Sequence, residues 1–266
     1  MGMKLMLFDE WTRSIHQDDG MTKERERVIR NDVVSFMTLY GIYSGLPQIT
    51  IAKAIFIFHK YSKIVSFKKF DYILYAAACI FLTAKLDDRP KELKESIKLY
   101  DYMYKTYKKL KENAPEGAMV DLRMEHFSKE TYTNYKIDPL TWKNLEDKFV
   151  MAESDILKMT GYDFDIELPY KYLDFVKTMK FIPDATFLKI TNNFINDSWR
   201  TTVCLYYEPR LITLAALNMA QNFCHQKLDD IDQNKPWYTC FGGDIEKKEI
   251  EDVTNHILDV YKQSAP

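Results

Sequence analysis

Residues 74–97, LYAAACIFLTAKLDDRPKELKESI, hold a helix-length run with almost no polar face, and this run constrains the fold more than any other part of the chain. Ala76, Ala77, Ala78, Cys79, Ile80, Phe81, Leu82 and Ala84 place small or apolar side chains all round such a helix, so protein must enclose it on every side. Small side chains also let neighbouring helices approach it closely. The run ends in one charge, Lys85, and then meets Asp87, Asp88, Arg89 and Pro90, where the acidic pair and the proline mark a helix end and a new start.

The rest of the chain is patterned to supply the enclosing helices. Only 8 glycines punctuate 266 residues, and apolar stripes recur at spacings of three and four, which predicts an all-α protein of roughly ten helices. The first runs near 23–43, opened by Thr22 and closed by the Gly41 to Pro47 punctuation. The second spans Gln48 to Ser62, the third is the 69–86 run, and Pro90 begins a fourth. Residues 105–140 carry little periodicity and read as a surface insertion, partly helical. Trp142 to Met159 restores a helix, and YDFDIELP after Gly161 is an extended boundary. Helices near 169–180, 183–200, 207–226 and 246–263 follow, with a short aromatic element at PWYTCF.

Setting Ala84 against Ala220 lays AACIFLTAK over TLAALNMAQ, each in the most alanine-rich helix of its half. The expected organisation is two tandem five-helix repeats: an extension over 1–22, a first repeat over 23–166 containing the 105–140 insertion, and a second over 167–266. With 37 basic and 39 acidic residues the net charge is −2, which leaves no electrostatic footprint for nucleic acid or an anionic membrane. The start of the chain is a poor signal peptide, Gly2 meets Met6 where a myristoylation motif wants Ser or Thr, and no apolar run reaches the ~20 residues of a membrane span. Cys79, Cys204, Cys224 and Cys240 form no CxxC pair and read as reduced packing residues. No metal, cofactor or catalytic motif is present in the sequence, so neither enzymatic activity nor a cofactor is expected.

LPQITIAKAIFIFHKYSKIVSF followed by AAACIFLTAKLDDRPKELKESI resembles the second to fourth helices of the transcription-type cyclins (T, K, L and Q). DSWRTTVCLYYEPRLITLAALNMA and KPWYTCFGGDIEKKEIEDVTNHILDVY resemble the second repeat of that group, most of all cyclin Q, also called cyclin M. The resemblance implies the two-repeat cyclin fold and a regulatory subunit, not an enzyme, that pairs as a heterodimer with a cyclin-dependent kinase and holds its regulatory helix inward, in the nucleus. It further implies that Lys85 and Glu153 grip the kinase backbone, beside an apolar groove of Leu86, Leu157, Tyr162 and Phe164. An ammonium offers three donors and a carboxylate several acceptor sites, which suits main-chain N–H and C=O groups.

The residues alone leave other readings open. Lys85 also reads as a snorkelling lysine and Glu153 as a solvated helix glutamate. His59 reads as a core or boundary histidine, Asp87 and Asp88 as capping and solvated, and Trp237, Tyr238 and Phe241 as a packed element. Lys111, Glu112 and Asn113 spell a KEN degradation motif, which has meaning only in an exposed, flexible loop. VIRNDVVSFMTLYGIY lacks the MRAIL patch through which cell-cycle cyclins recruit substrates. A scaffold subunit with its kinase surface covered by the insertion, and a two-repeat nucleic-acid-binding factor, are the rival functions.

Overall fold

The computed structural model describes residues 14–179, 182–232, 235–242 and 245–261. The readings at Gly2 and Met6, and the last residues of the helix expected to reach 263, lie outside them. Every regular element among the described residues is a helix, apart from one isolated bridge between Asp232 and Lys235. The chain divides into two compact units, one ending at Asp165 and the other starting at Ile166.

The first unit contains α1 (Ile15–Asp18), α2 (Lys23–Tyr43), α3 (Gln48–Ile64), α4 (Tyr72–Leu86), α5 (Leu93–Asn113), α6 (Lys129–Asn134) and α7 (Pro139–Met159). Helix α4 is the run without a polar face, and it packs against α2, α3, α5 and α7. Its residues from Ala76 to Ala84 are all buried. Burial of Ile80, Phe81 and Leu82 stabilises the unit by about 1.5–3 kcal/mol each. Side-chain caps set the helix starts: Asp71 accepts the Leu74 N–H at 3.1 Å, and Asp138, just before Pro139, accepts the Thr141 N–H at 2.9 Å. Gly41 lets α2 and α3 meet, since a Cβ there would sit 2.5 Å from Ile51 Cγ1.

Residues 105–140 are more tightly built than their composition suggests. Helix α5 continues to Asn113 with Tyr107 buried, and Val120 and Phe127 are buried beyond it. Buried Asp32 on α2 organises this region: its carboxylate accepts the Val120 N–H at 2.8 Å, the Tyr107 hydroxyl at 3.1 Å and Lys111 Nζ at 3.1 Å. The KEN motif therefore ends a helix, with its lysine held by Asp32, and is not a flexible loop.

The second unit contains α8 (Pro169–Val176), α9 (Ala185–Ser198), α10 (Pro209–Cys224) and α11 (Lys247–Leu258), with short 3-10 turns at Val203–Leu205 and Trp237–Phe241. Helix α10 carries the second alanine-rich run and packs against α8, α9 and α11, as the repeat alignment on Ala220 anticipates. Buried Trp199 donates its indole N–H to Tyr170 at 3.0 Å, and Tyr170 donates to Asn196 at 2.7 Å. Trp237 is buried, and Phe241 packs edge-on against Tyr172 with centroids 5.0 Å apart.

Candidate partner-binding surface

Lys85 occupies the last turn of α4, and the buried stripe Phe149, Ala152 and Ile156 seats α7 so that Glu153 faces it. Lys85 Nζ lies 2.7 Å from Glu153 Oε1, across 68 residues of sequence. The same ammonium sits over the Phe81 ring, 4.1 Å from its centroid, and Phe81 packs edge-on against Phe149 at 6.0 Å. Lys85 keeps 41% of its side-chain surface exposed and Glu153 18%, so the pair forms one edge of the unit and is neither core nor freely solvated.

The four apolar positions named with this pair are at least partly open to solvent. Leu86, the residue after Lys85, is 45% exposed, and Leu157, one turn beyond Glu153, is half-buried. Helix α7 ends in a reversal in which Gly161 (φ 69°) and Tyr162 (φ 57°) both take the left-handed conformation, and the Tyr162 N–H returns to the Leu157 carbonyl at 3.2 Å. The turn leaves Tyr162 65% exposed and Phe164 half-buried. The hydrogen bonds of the 114–138 segment run elsewhere: Val120 to Asp32, Tyr43 to the Phe127 carbonyl at 2.9 Å, and Tyr135 to Asp101 at 2.5 Å, on α2 and α5.

Asp87 does more than cap α4. Its carboxylate accepts Thr50 Oγ1 at 2.7 Å and Lys53 Nζ at 2.6 Å, both from α3, while exposed Asp88 takes φ 54°. His59 is fully buried, with Nδ1 3.2 Å from the Arg30 guanidinium. Burial pushes the Cys240 thiol up to about 11 and the fully buried Cys79 thiol up as well, as suits packing residues.

The sequence reading missed a buried polar cluster below α1. Arg30 donates to Glu26 at 2.8 Å and to Ser62 at 3.1 Å, and lies 3.2 Å from His16 Nε2. It also missed Lys60 of α3, which donates to the Asp163 carbonyl at 3.1 Å and carboxylate at 3.0 Å. Only the Glu26–Arg30 spacing of four is a local signal; His16 and Ser62 reach Arg30, and Asp163 reaches Lys60, from distant parts of the chain. No helix of the described residues is long and apolar enough to cross a membrane, and no group of three metal-ligating side chains occurs among them.

Among known protein families, residues 3–121 match the cyclin N-terminal domain. The likeness runs beyond that domain, to cyclins of the T and K groups: the chain is 29% identical to Cyclin-T1-5 of Arabidopsis thaliana, covering 92% of this chain and 38% of that one. It is 26% identical to human Cyclin-K, with coverages of 93% and 39%, and 29% identical to Cyclin pch1 of Schizosaccharomyces pombe, with coverages of 76% and 52%. The chain thus spans about two fifths of the plant and human relatives. In fold it matches a chain of the crystal structure of the yeast RNA Pol II CTD kinase CTDK-1 complex, with a TM-score of 0.66 at 15% identity, covering 92% of this chain and 73% of that one. The finer likeness to cyclin Q rests on the sequence motifs alone.

Proposed function

We propose that this chain is a regulatory subunit, not an enzyme, that binds and activates a cyclin-dependent protein kinase of the transcription group in the nucleus. The observation that carries this reading is the Lys85–Glu153 pair, 2.7 Å apart, with Leu86 after the lysine and Tyr162 after the end of α7 both exposed. Its similarity to cyclins T and K, and its fold likeness to a chain of a CTD kinase complex, support the choice of partner. Lys85, Glu153, Leu86, Leu157, Tyr162 and Phe164 together receive the kinase's regulatory helix, the two charges meeting its backbone and the apolar side chains its hydrophobic face. Activation is a population shift. Moving a kinase from one to ninety-nine per cent active requires that the active form be preferred by about 5.5 kcal/mol.

The accessibility of Leu86, and the attachment of the 114–138 segment to α2 and α5, favour this reading over a scaffold with a covered kinase surface. The near-neutral charge speaks against a nucleic-acid-binding role. The test is affinity capture of kinases from native extract, followed by reconstitution of the identified pair. Lys85→Ala with Glu153→Ala is expected to weaken the complex by about 2–5 kcal/mol and to abolish activation. No captured kinase, or full activation by the double variant, would overturn the proposal.

A further inference from the structure

The proposed kinase surface is assembled from two segments far apart in sequence: Lys85–Leu86 at the end of α4, and Tyr162–Phe164 after α7. Between Thr160 and the start of α8 at Pro169 the backbone forms no helix, so α7 alone leaves the direction of the second segment open. Helix α3 reaches both segments. Lys53 Nζ holds the Asp87 carboxylate at 2.6 Å, with Thr50 Oγ1 on the other oxygen at 2.7 Å. Lys60 Nζ holds Asp163 at both its backbone oxygen, 3.1 Å, and its side chain, 3.0 Å.

Lys53 and Lys60 are seven residues apart in α3, two helical turns, so they project from one face at points about 10 Å apart. Each holds the residue directly next to an exposed apolar group, Asp87 beside Leu86 and Asp163 between Tyr162 and Phe164. Both lysines are largely covered, with 29% and 28% of their side-chain surfaces exposed. Asp163 responds electrostatically, its carboxyl held below the usual range by the Lys60 hydrogen bond and charge. Two-point capture of Asp163 fixes the orientation of a backbone unit, which a single surface ion pair does not do.

We propose that α3 serves as a spacer: Lys53 and Lys60 are positioning residues that set the distance and orientation between the two halves of the partner surface, without touching the partner. The inference rests on the kinase reading for its purpose, while the positioning itself is measurable in the free protein. Lys60→Met removes both bonds and keeps the aliphatic stem. In hydrogen–deuterium exchange of the free chain, residues 161–165 are expected to exchange faster in Lys60→Met and to keep wild-type protection in Lys60→Arg. Asp163→Asn, which retains the carbonyl acceptor, should lie between them.

Kinase affinity should fall roughly fivefold in Lys60→Met, the scale of one surface ion pair, and recover in Lys60→Arg. Unchanged exchange at 161–165 in Lys60→Met overturns the proposal, whatever happens to binding. Faster exchange with unchanged affinity for a kinase that wild type binds also overturns it, because the turn would then move without consequence. If wild type binds no kinase, the reading of function fails, and the exchange data still decide whether Lys60 orders the turn.

Discussion

Acid should destabilise this chain through one buried histidine in a pH range where few other groups titrate. His16 on α1 is fully buried, stacked on Phe67 with centroids 4.0 Å apart, and its Nδ1 accepts the Phe67 amide N–H at 3.0 Å. Its Nε2 lies 3.2 Å from the Arg30 guanidinium, with Glu26 Oε1 at 3.9 Å. A proton on Nδ1 would face the Phe67 N–H donor and add a second cation beside Arg30. Burial first, and the Arg30 charge second, push the imidazole from 6.5 down to about 4, against the pull of Glu26, the Ser62 backbone and Asp19. The folded state thus refuses a proton that the unfolded chain accepts below pH 6.5, so this contribution is complete above that pH and is lost as pH falls toward 4. At pH 5 the deficit is the ~1.5 pH units already crossed, about 2 kcal/mol. Urea unfolding of wild type and His16→Leu at pH 7.5 and 5 should show the wild-type advantage shrinking by that amount, and the His16 ring should not titrate by NMR until pH falls near 4. A ring midpoint near 6.5, or an equal gap at both pH values, would refute the reasoning.

Asp32→Ala leaves the Val120 N–H and the Tyr107 hydroxyl without their carboxylate and Lys111 without its ion pair; it should cost about 3 kcal/mol in chemical denaturation and speed amide exchange at Val120. Gly41→Ala drives a methyl into Ile51 and should cost about 1–3 kcal/mol by thermal unfolding, with part of the loss recovered by adding Ile51→Ala. A double-mutant cycle on Lys85 and Glu153 should give a coupling of about 0–1 kcal/mol in the unfolding of the free chain, as for an exposed pair, and a larger one in kinase affinity.

Helices whose signals are local were legible from residues: the stripes of α2, α3 and α4, the prolines opening α8 and α10, and the alanine run of α10 all act within a few turns of chain. The far end of α5 was not, because Lys105, Lys108, Lys109 and Lys111 hide a stripe that only Tyr107 continues, and Tyr107 is buried by residues of other helices. The 114–128 segment is organised by Asp32, whose bond to Val120 spans 88 residues. The same limit applies at the candidate surface. Lys85 stood out because a charge ended an apolar run, whereas Lys60 looks like any helix lysine until folding brings Asp163 to it from 103 residues away.

The pairing of Lys85 with Glu153 in the free chain suits, and does not oppose, recognition of a partner backbone. One N–H of the ammonium is directed to Glu153 Oε1 and its charge is further balanced by the Phe81 ring, which leaves other N–H groups and the second carboxylate oxygen to meet a carbonyl and an amide. Neither group must break its existing bond to do so. Both are also carried on packed helices, Lys85 on an α4 buried from Ala76 to Ala84 and Glu153 between buried Ala152 and Ile156, so little ordering cost remains to be met on binding. An exposed pair of this kind adds little to the stability of the free chain. In the proposed complex, from which water is excluded, either charge left alone would be costly, and that contrast distinguishes the proposed recognition pair from a snorkelling lysine beside a solvated glutamate.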